Sequence, residues 1–124
     1  MHRNRELSVP LRPIIKASRL KFDPPKGWTN DPKEMLVEER YKNADSEGYE
    51  LLQELELKTA TPIMSHTRQN GATLHIFESS RKYYLWNVIE ESASRFVNTS
   101  FEEILNTMTQ DVGRVRRLQL ENCV

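Results

Sequence analysis

Two short runs of alternating residues give the clearest secondary-structure signal in the chain. TLHIFE (73–78) and KYYLWNV (82–88) are rich in aromatic and aliphatic residues, and successive side chains in such runs point to opposite faces. The three polar residues between them are typical of a short connection. The pattern therefore predicts two antiparallel strands joined as a hairpin.

Both faces of this predicted hairpin are apolar. Leu74 and Ile76 point to one face, and Phe77, Tyr84 and Trp86 supply the other. A small sheet normally keeps one face in water. Two apolar faces indicate either strands covered on both sides or an exposed patch that binds a partner.

Helical spacing appears near the C-terminus. Ser100 and Glu103 form an S-x-x-E capping box, and Ile104 and Met108 continue one apolar face, which predicts a helix over 101–110. DVG (111–113) is expected to end that helix. The polar run 89–98 is predicted to be a loop, and 114–124 a final strand or an ordered tail.

The N-terminal half is predicted to begin with a loop over 23–32. Asp31 as an N-cap followed by Pro32 favours a helix over 32–42. For 47–56 a helix is favoured, although 49–58 also fits a strand, with 35–41 as its hairpin partner. Gly48 falls on the apolar face of this second segment, where it weakens a helix by about 1 kcal/mol.

The middle of the chain is predicted to be extended. Residues 56–66 are β-branched and contain Pro62, which indicates an edge strand or a strand that ends at the proline. Asn70 and Gly71 are a strong turn signal. Together these elements predict one α+β domain over 1–124, in which a small antiparallel sheet of three to four strands packs with two to three helices.

Charge is balanced overall and segregated along the chain. Lys plus Arg and Asp plus Glu number 18 each. A basic arm (1–29) has a net charge of +5, an acidic segment (30–58) has −5, and 59–124 is neutral. The favoured interpretation is that the arm lies against the acidic segment. The alternative is that each recruits an outside partner.

Candidate catalytic chemistry is sparse. The chain has no G-x-S-x-G, G-x-G-x-x-G or Walker A motif. His66, His75 and Cys123 would suffice for zinc, but nothing in their spacing requires them to meet. No catalytic residue, metal site or cofactor is therefore predicted.

A nucleic-acid interface is the alternative of a different class. Phe77, Tyr84 and Trp86 would provide a stacking platform, with Arg81 and Lys82 at the turn and the basic arm nearby. A neutral chain lacks the excess of positive charge that such surfaces normally carry. Nucleic acid is thus the less favoured partner.

The compartment is predicted from cysteine use and hydropathy. One cysteine cannot form an internal disulfide, and no apolar run approaches the ~20 residues of a spanning helix. These features predict a cytoplasmic protein without a membrane partner.

The run YYLWN (83–87) followed by RFVNTSFEEIL (95–105) resembles the end of SUKH-superfamily domains. That family serves in toxin immunity and as regulatory binding proteins. The likeness covers the last third of the chain, and the N-terminal helices and glycine-containing turns of the family have no clear match. What the resemblance implies is a protein-binding role.

The sequence thus predicts a non-enzymatic protein-binding or regulatory domain, whose partner is another protein or a second copy. A single-stranded nucleic-acid-binding module and a small enzyme with an unrecognised site are the alternatives. The candidate contact residues are Phe77, Tyr84, Trp86, Glu38, Glu39, Glu47 and Glu50.

Overall fold

The predicted hairpin lies near the centre of a larger mixed sheet. The computed structural model describes residues 11–68, 71–110 and 118–124. In these ranges the order across the sheet is β1-β3-β4-β5-β6-β7, with β2 also paired to β3. The strands are β1 (Ile14–Ile15), β2 (Trp28–Thr29), β3 (Thr59–Arg68), β4 (Gly71–Ser79), β5 (Lys82–Asn87), β6 (Ser92–Phe96) and β7 (Leu120–Asn122).

The predicted fold class, with three to four antiparallel strands, is therefore wrong. The described ranges hold seven strands, and β1 runs parallel to β3. Two missed strands are only two residues long, and one of them, β2, lies inside the predicted loop 23–32. A third, β6, replaces the predicted loop 89–98. Its sequence SASRF is mostly small and polar, so it lacks the alternation of large apolar residues that marks a strand.

The outer edge of β3 is covered in two halves. Parallel β1 pairs with Thr59 and Ala60, and antiparallel β2 pairs with Ser65 and His66. Residues 61–64 between these pairs have neither short strand beside them. A gap is thus left in the edge of the sheet.

This gap contains Pro62. The strand does not end there, as one prediction had it, but continues to Arg68, with a register shift against β4 between Pro62 and Met64. Proline cannot donate a backbone hydrogen bond, so sheets tolerate it at edges and bulges. Pro62 lies both at an edge of the sheet and beside a register shift.

The centre of the sheet confirms the predicted hairpin. β4 and β5 pair without a register shift, from Leu74 opposite Asn87 to Ser79 opposite Lys82. The connecting residues Ser80 and Arg81 both have positive φ, 51° and 68°. That conformation is the mirror-image turn whose twist matches a two-residue hairpin. The predicted turn at Asn70 and the predicted helix stop at 111–113 lie outside the described residues.

The layer on one face of the sheet, the front face, is irregular. Residues 32–36 are turns rather than the predicted helix over 32–42, and Leu36 has a φ of 58°. A π-helix then spans Glu38–Lys42, and α1 spans Glu47–Glu54. The helical interpretation of 47–56 is confirmed, and the strand alternative is wrong. We call residues 31–54 the π-helical layer.

The layer on the back face is one regular helix, α2 (Phe101–Gln110), as predicted. The backbone N–H of Glu103 donates to Ser100 Oγ at 3.2 Å, and the N–H of Ser100 donates to Glu103 Oε1 at 3.3 Å. These two bonds form the predicted capping box. Ile104 and Met108, both buried, carry the contact with the sheet.

Each layer closes its own core against the sheet. The front core contains Met35, Val37, Tyr41, Leu51, Leu52, Ala60, Phe77, Tyr84, Trp86 and Ala93. The back core contains Trp28, Ile63, Met64, Ile76, Phe96, Ile104 and Met108. The sheet is therefore covered on both faces by its own chain.

Candidate binding groove at the sheet edge

The aromatic residues predicted to contact a partner are buried. Phe77, Tyr84 and Trp86 are 0%, 6% and 4% exposed. The ring of Tyr41, from the π-helix, lies 5.6 Å from that of Trp86, and Phe77 stacks on Tyr84 at 5.0 Å. Of the two alternatives for a hairpin with two apolar faces, the structure shows the covered one. These side chains present no surface to a protein or to a nucleic-acid base.

The two histidines of the described ranges lie on opposite faces of the sheet. His75 is buried in the front layer, where its ring stacks on Trp86 at 4.9 Å and its Nδ1 lies 2.7 Å from Ser65 Oγ. His66 packs on Trp28 behind the sheet, at 5.3 Å. The described residues hold no group of three or more His, Cys, Asp or Glu side chains arranged for a metal ion.

The acidic candidates are exposed on the π-helical layer. Glu38 pairs with Lys42 Nζ at 3.2 Å, and Glu47 pairs with Arg40 Nη1 at 3.2 Å. Two of the four predicted carboxylates thus have cations of their own segment as partners. Glu39 and Glu50 have no ion pair within the described ranges.

The described part of the basic arm, residues 11–29, contacts the acidic segment. Gln53 Nε2 donates to the carbonyl of Leu11 at 2.9 Å, and Ile15 packs on the front core. No salt bridge joins the arm to the acidic segment in the part of the chain that the structure describes. Residues 11–29 of the arm therefore lie against the acidic segment, and no ion pair among the described residues accompanies this contact.

A groove lies between the arm and the π-helical layer, at the gap in the edge of β3. We call it the edge groove; its volume is about 320 Å³. Its floor is apolar and buried, formed by Met35, Val37, Pro62 and Ile63. Clefts of this size with an apolar lining are typical of ligand and peptide sites.

The irregular backbone explains this floor. In an α-helix, residues two apart point to different sides. Met35 and Val37 are nevertheless both buried and both line the groove, because Leu36 between them has a φ of 58°. A leucine in that region is unusual, and π-helices concentrate at functional sites.

The rim of the edge groove is cationic. Lys16 and Lys42 line it, and both are exposed. Lys42 bonds to Glu38, whereas Lys16 makes no ion pair with any described residue. The described lining contains no carboxylate.

The opposite edge of the sheet carries an ion pair between its last two strands. Arg95 of β6 and Glu121 of β7 form an ion pair. Their hydrogen bond lowers the pKa of Glu121 and raises that of Arg95. Partial desolvation of the Cys123 sulfur, together with the nearby Glu121 carboxylate, raises the pKa of the thiol, although the residue as a whole is exposed. A raised pKa favours the thiol over the more reactive thiolate.

Sequence reasoning missed the edge groove because its walls come from three separate stretches of the chain. Only the pairing of β1 with the start of β3 brings Lys16 next to Pro62. The available signals were the acid-free stretch 11–22 within the basic arm and a proline inside a strand.

Comparison with known proteins adds no relative. No family model, curated protein or solved structure matches the chain. The resemblance of 83–105 to the SUKH superfamily therefore gains no support. None of the helices in the described ranges has the length and apolar character needed to span a bilayer.

Proposed function

We propose that this protein is a non-enzymatic protein-binding domain, and that a segment of its partner enters the edge groove. One observation carries the proposal: a cleft of about 320 Å³ combines a buried apolar floor with two rim lysines, of which Lys16 has no ion pair with any described residue. An apolar cavity with a few convergent polar groups is the usual form of a binding site.

The chemistry of the lining favours binding over catalysis. The polar side chains described there are two lysines, a serine and an asparagine, without histidine, cysteine or carboxylate. General acid–base catalysis depends mostly on those missing types. The close pair Ser65 and His75 lies elsewhere and is buried at 1% and 0% exposure, so substrate has no route to it.

The aromatic content favours protein over single-stranded nucleic acid. Phe22 is the aromatic ring in the described lining, and it already packs on Phe101 in a T-shaped arrangement, with ring centroids 5.0 Å apart. Sequence-tolerant binding to single strands needs a row of accessible rings for successive bases. The predicted row is in the front core.

Site-specific photo-cross-linking tests the proposal. A photoreactive amino acid replaces Ala17, an exposed residue of the groove lining, or Ser80, at the exposed hairpin turn. We expect a discrete protein adduct from position 17 and none from position 80. The adduct protein, identified by mass spectrometry and purified, should then bind the unmodified domain in calorimetry.

A matched pair of exposed apolar residues provides the specificity control. Leu20 is 43% exposed and lines the groove, whereas Ile89 is 72% exposed and lies outside the lining. Leu20→Asp should weaken binding of the purified partner at least about tenfold, and Ile89→Asp should leave it unchanged. Equal loss in both variants would contradict the proposal. An adduct to nucleic acid would replace it with the nucleic-acid-binding alternative, and an adduct to a second 14.6 kDa copy would identify the protein partner as the chain itself.

A further inference from the structure

We infer that the edge groove selects a partner segment in which an acidic side chain stands beside a large apolar one, with Lys16 as the contact for the acid. This inference rests on the proposed function. It names the chemistry of the partner, which the shape of the site alone leaves open.

The local charge supplies the first step. Residues 11–22 contain Arg12, Lys16, Arg19 and Lys21 and no acidic residue. All four cations are exposed, and none forms an ion pair with a described residue. Uncompensated charge of one sign attracts the opposite sign and rejects its own. Of the four, Lys16 lines the groove, so a carboxylate is favoured at this wall and a cationic side chain is disfavoured.

The two rim lysines are not equivalent. Lys42 Nζ lies 3.2 Å from Glu38 Oε1, one turn away on the same helix, so part of its charge is compensated. Lys16 has no such partner among the described residues, and its backbone is fixed because its N–H donates to Ala60 at 2.9 Å. The more strongly selecting cation is Lys16.

The floor supplies the apolar half of the motif. Met35 and Ile63 are 3% and 1% exposed, yet both line the cleft, as do Val37 and Pro62. A volume of about 320 Å³ holds one or two large side chains rather than a folded surface. An aliphatic or aromatic side chain entering here removes its own apolar area from water. On this domain it covers mainly Leu20, which is 43% exposed, because the floor is already almost fully buried.

The edge of β3 determines whether the partner segment is recognised through its backbone or through its side chains. Strand addition would need a continuous row of backbone donors and acceptors. The gap spans only residues 61–64, is closed at both ends by β1 and β2, and contains Pro62, which has no N–H. A register shift between Pro62 and Met64 further distorts it. The segment is thus recognised by its side chains and not as an added strand.

Selection from a random peptide library displayed on phage tests the inference, with the full chain as bait. We expect enriched peptides to contain Asp or Glu directly beside Leu, Ile, Met, Phe or Trp. One enriched peptide is then synthesised, and its Kd is measured by fluorescence anisotropy. Affinity should fall when salt is added, because part of the attraction is between exposed charges.

Two charge-reversal variants with the same net charge separate the effect of the substituted position from the effect of overall charge. Lys16→Glu should weaken the peptide at least about tenfold, and Lys26→Glu, an exposed arm lysine outside the groove lining, less than about twofold. A peptide with Lys in place of its acid should regain affinity for the Lys16→Glu variant. Lys16→Gln should give an intermediate Kd.

Two outcomes would overturn the inference. One is enrichment of peptides without the acidic–apolar pair, and the other is equal weakening by Lys16→Glu and Lys26→Glu. If position 17 still forms a Leu20-dependent protein adduct in either case, the proposed function stands and only the motif is wrong. If that adduct is also absent, both fail.

Discussion

The two layers that cover the sheet are built on different principles. The back layer is one capped helix, α2, which touches the sheet through side chains such as Ile104 and Met108. The π-helical layer instead brings two backbones together, since a Cβ placed on Gly48 would lie 2.2 Å from the carbonyl oxygen of Arg40. Side-chain contacts leave a periodic pattern in the sequence, and backbone contacts do not. The π-helical layer, which the periodic pattern did not reveal, is also the layer that lines the edge groove.

Gly48→Ala is expected to have the largest effect on this comparison. In an open helix the change would stabilise by about 1 kcal/mol. Here the new methyl group would overlap the carbonyl of Arg40, so we expect a loss of about 3 kcal/mol in the free energy of unfolding. Urea denaturation followed by circular dichroism measures the difference.

Glu50→Ala is the control for that change, because Glu50 is an exposed position of the same helix. It should alter the free energy of unfolding by less than about 0.5 kcal/mol. A Gly48→Ala variant as stable as the parent would show that the π-helical layer tolerates wider spacing, and the contrast between the layers would fail.

The serine caps of the two layers offer a smaller effect. Ser46 is buried, accepts from the N–H of Tyr49 at 3.3 Å and donates to the carbonyl of Asn43 at 2.6 Å. Ser100 is exposed and bonds within its own capping box. We expect Ser46→Ala to cost about 2 kcal/mol and Ser100→Ala about 1 kcal/mol, both by chemical denaturation.

The conservative change Ser100→Asp should keep most of the stability of α2, because aspartate is an equally good cap. If Ser46→Ala and Ser100→Ala cost the same, the bond from Ser46 to Asn43 contributes nothing. The two helices would then be capped in equivalent ways.

Tyr41→Phe should have the smallest effect at neutral pH. The Tyr41 hydroxyl is buried and has no hydrogen-bond partner among the described residues, so its removal should change the free energy of unfolding by less than about 1 kcal/mol. A larger loss would reveal a partner for the hydroxyl.

Alkaline pH should reveal a difference in stability between the unmodified protein and its Tyr41→Phe variant. Burial raises the pKa of Tyr41 far above its ordinary 10.0, so above pH 10 the unfolded chain loses this proton while the folded chain keeps it. The contribution of protonated Tyr41 to the free energy of unfolding is complete below pH 10. Above that pH it declines by about 1.4 kcal/mol per pH unit. Tyr41→Phe lacks this decline, so its denaturation midpoint should fall less steeply with pH.

The regular parts of this fold are accessible from sequence. The alternation at 73–88 and the capping box at Ser100 are local patterns that match the final structure, and they predicted β4, β5 and α2. The helical interpretation of 47–56 also holds, because glutamate and leucine favour helices over strands.

The rest depends on distant contacts. Strands as short as β1 and β2 have no pattern of their own and exist because β3 offers them partners. Asp31 and Pro32 are typical of a helix start, but Leu36 takes a positive φ that no local rule would assign to leucine. The candidate site lies in these irregular parts, which is why reasoning from pattern placed it in the core instead.

The parallel pairing of Ile14 with Thr59 has a consequence for the order of folding. The hairpin β4–β5 closes through two turn residues, whereas β1 must wait until distant residues of β3 are in place. Long-range pairings form slowly because their loops are costly to close. We expect the sheet centre to form early and the edge groove to be completed last, so a full-length chain that refolds forms the centre of its sheet before it forms its binding site.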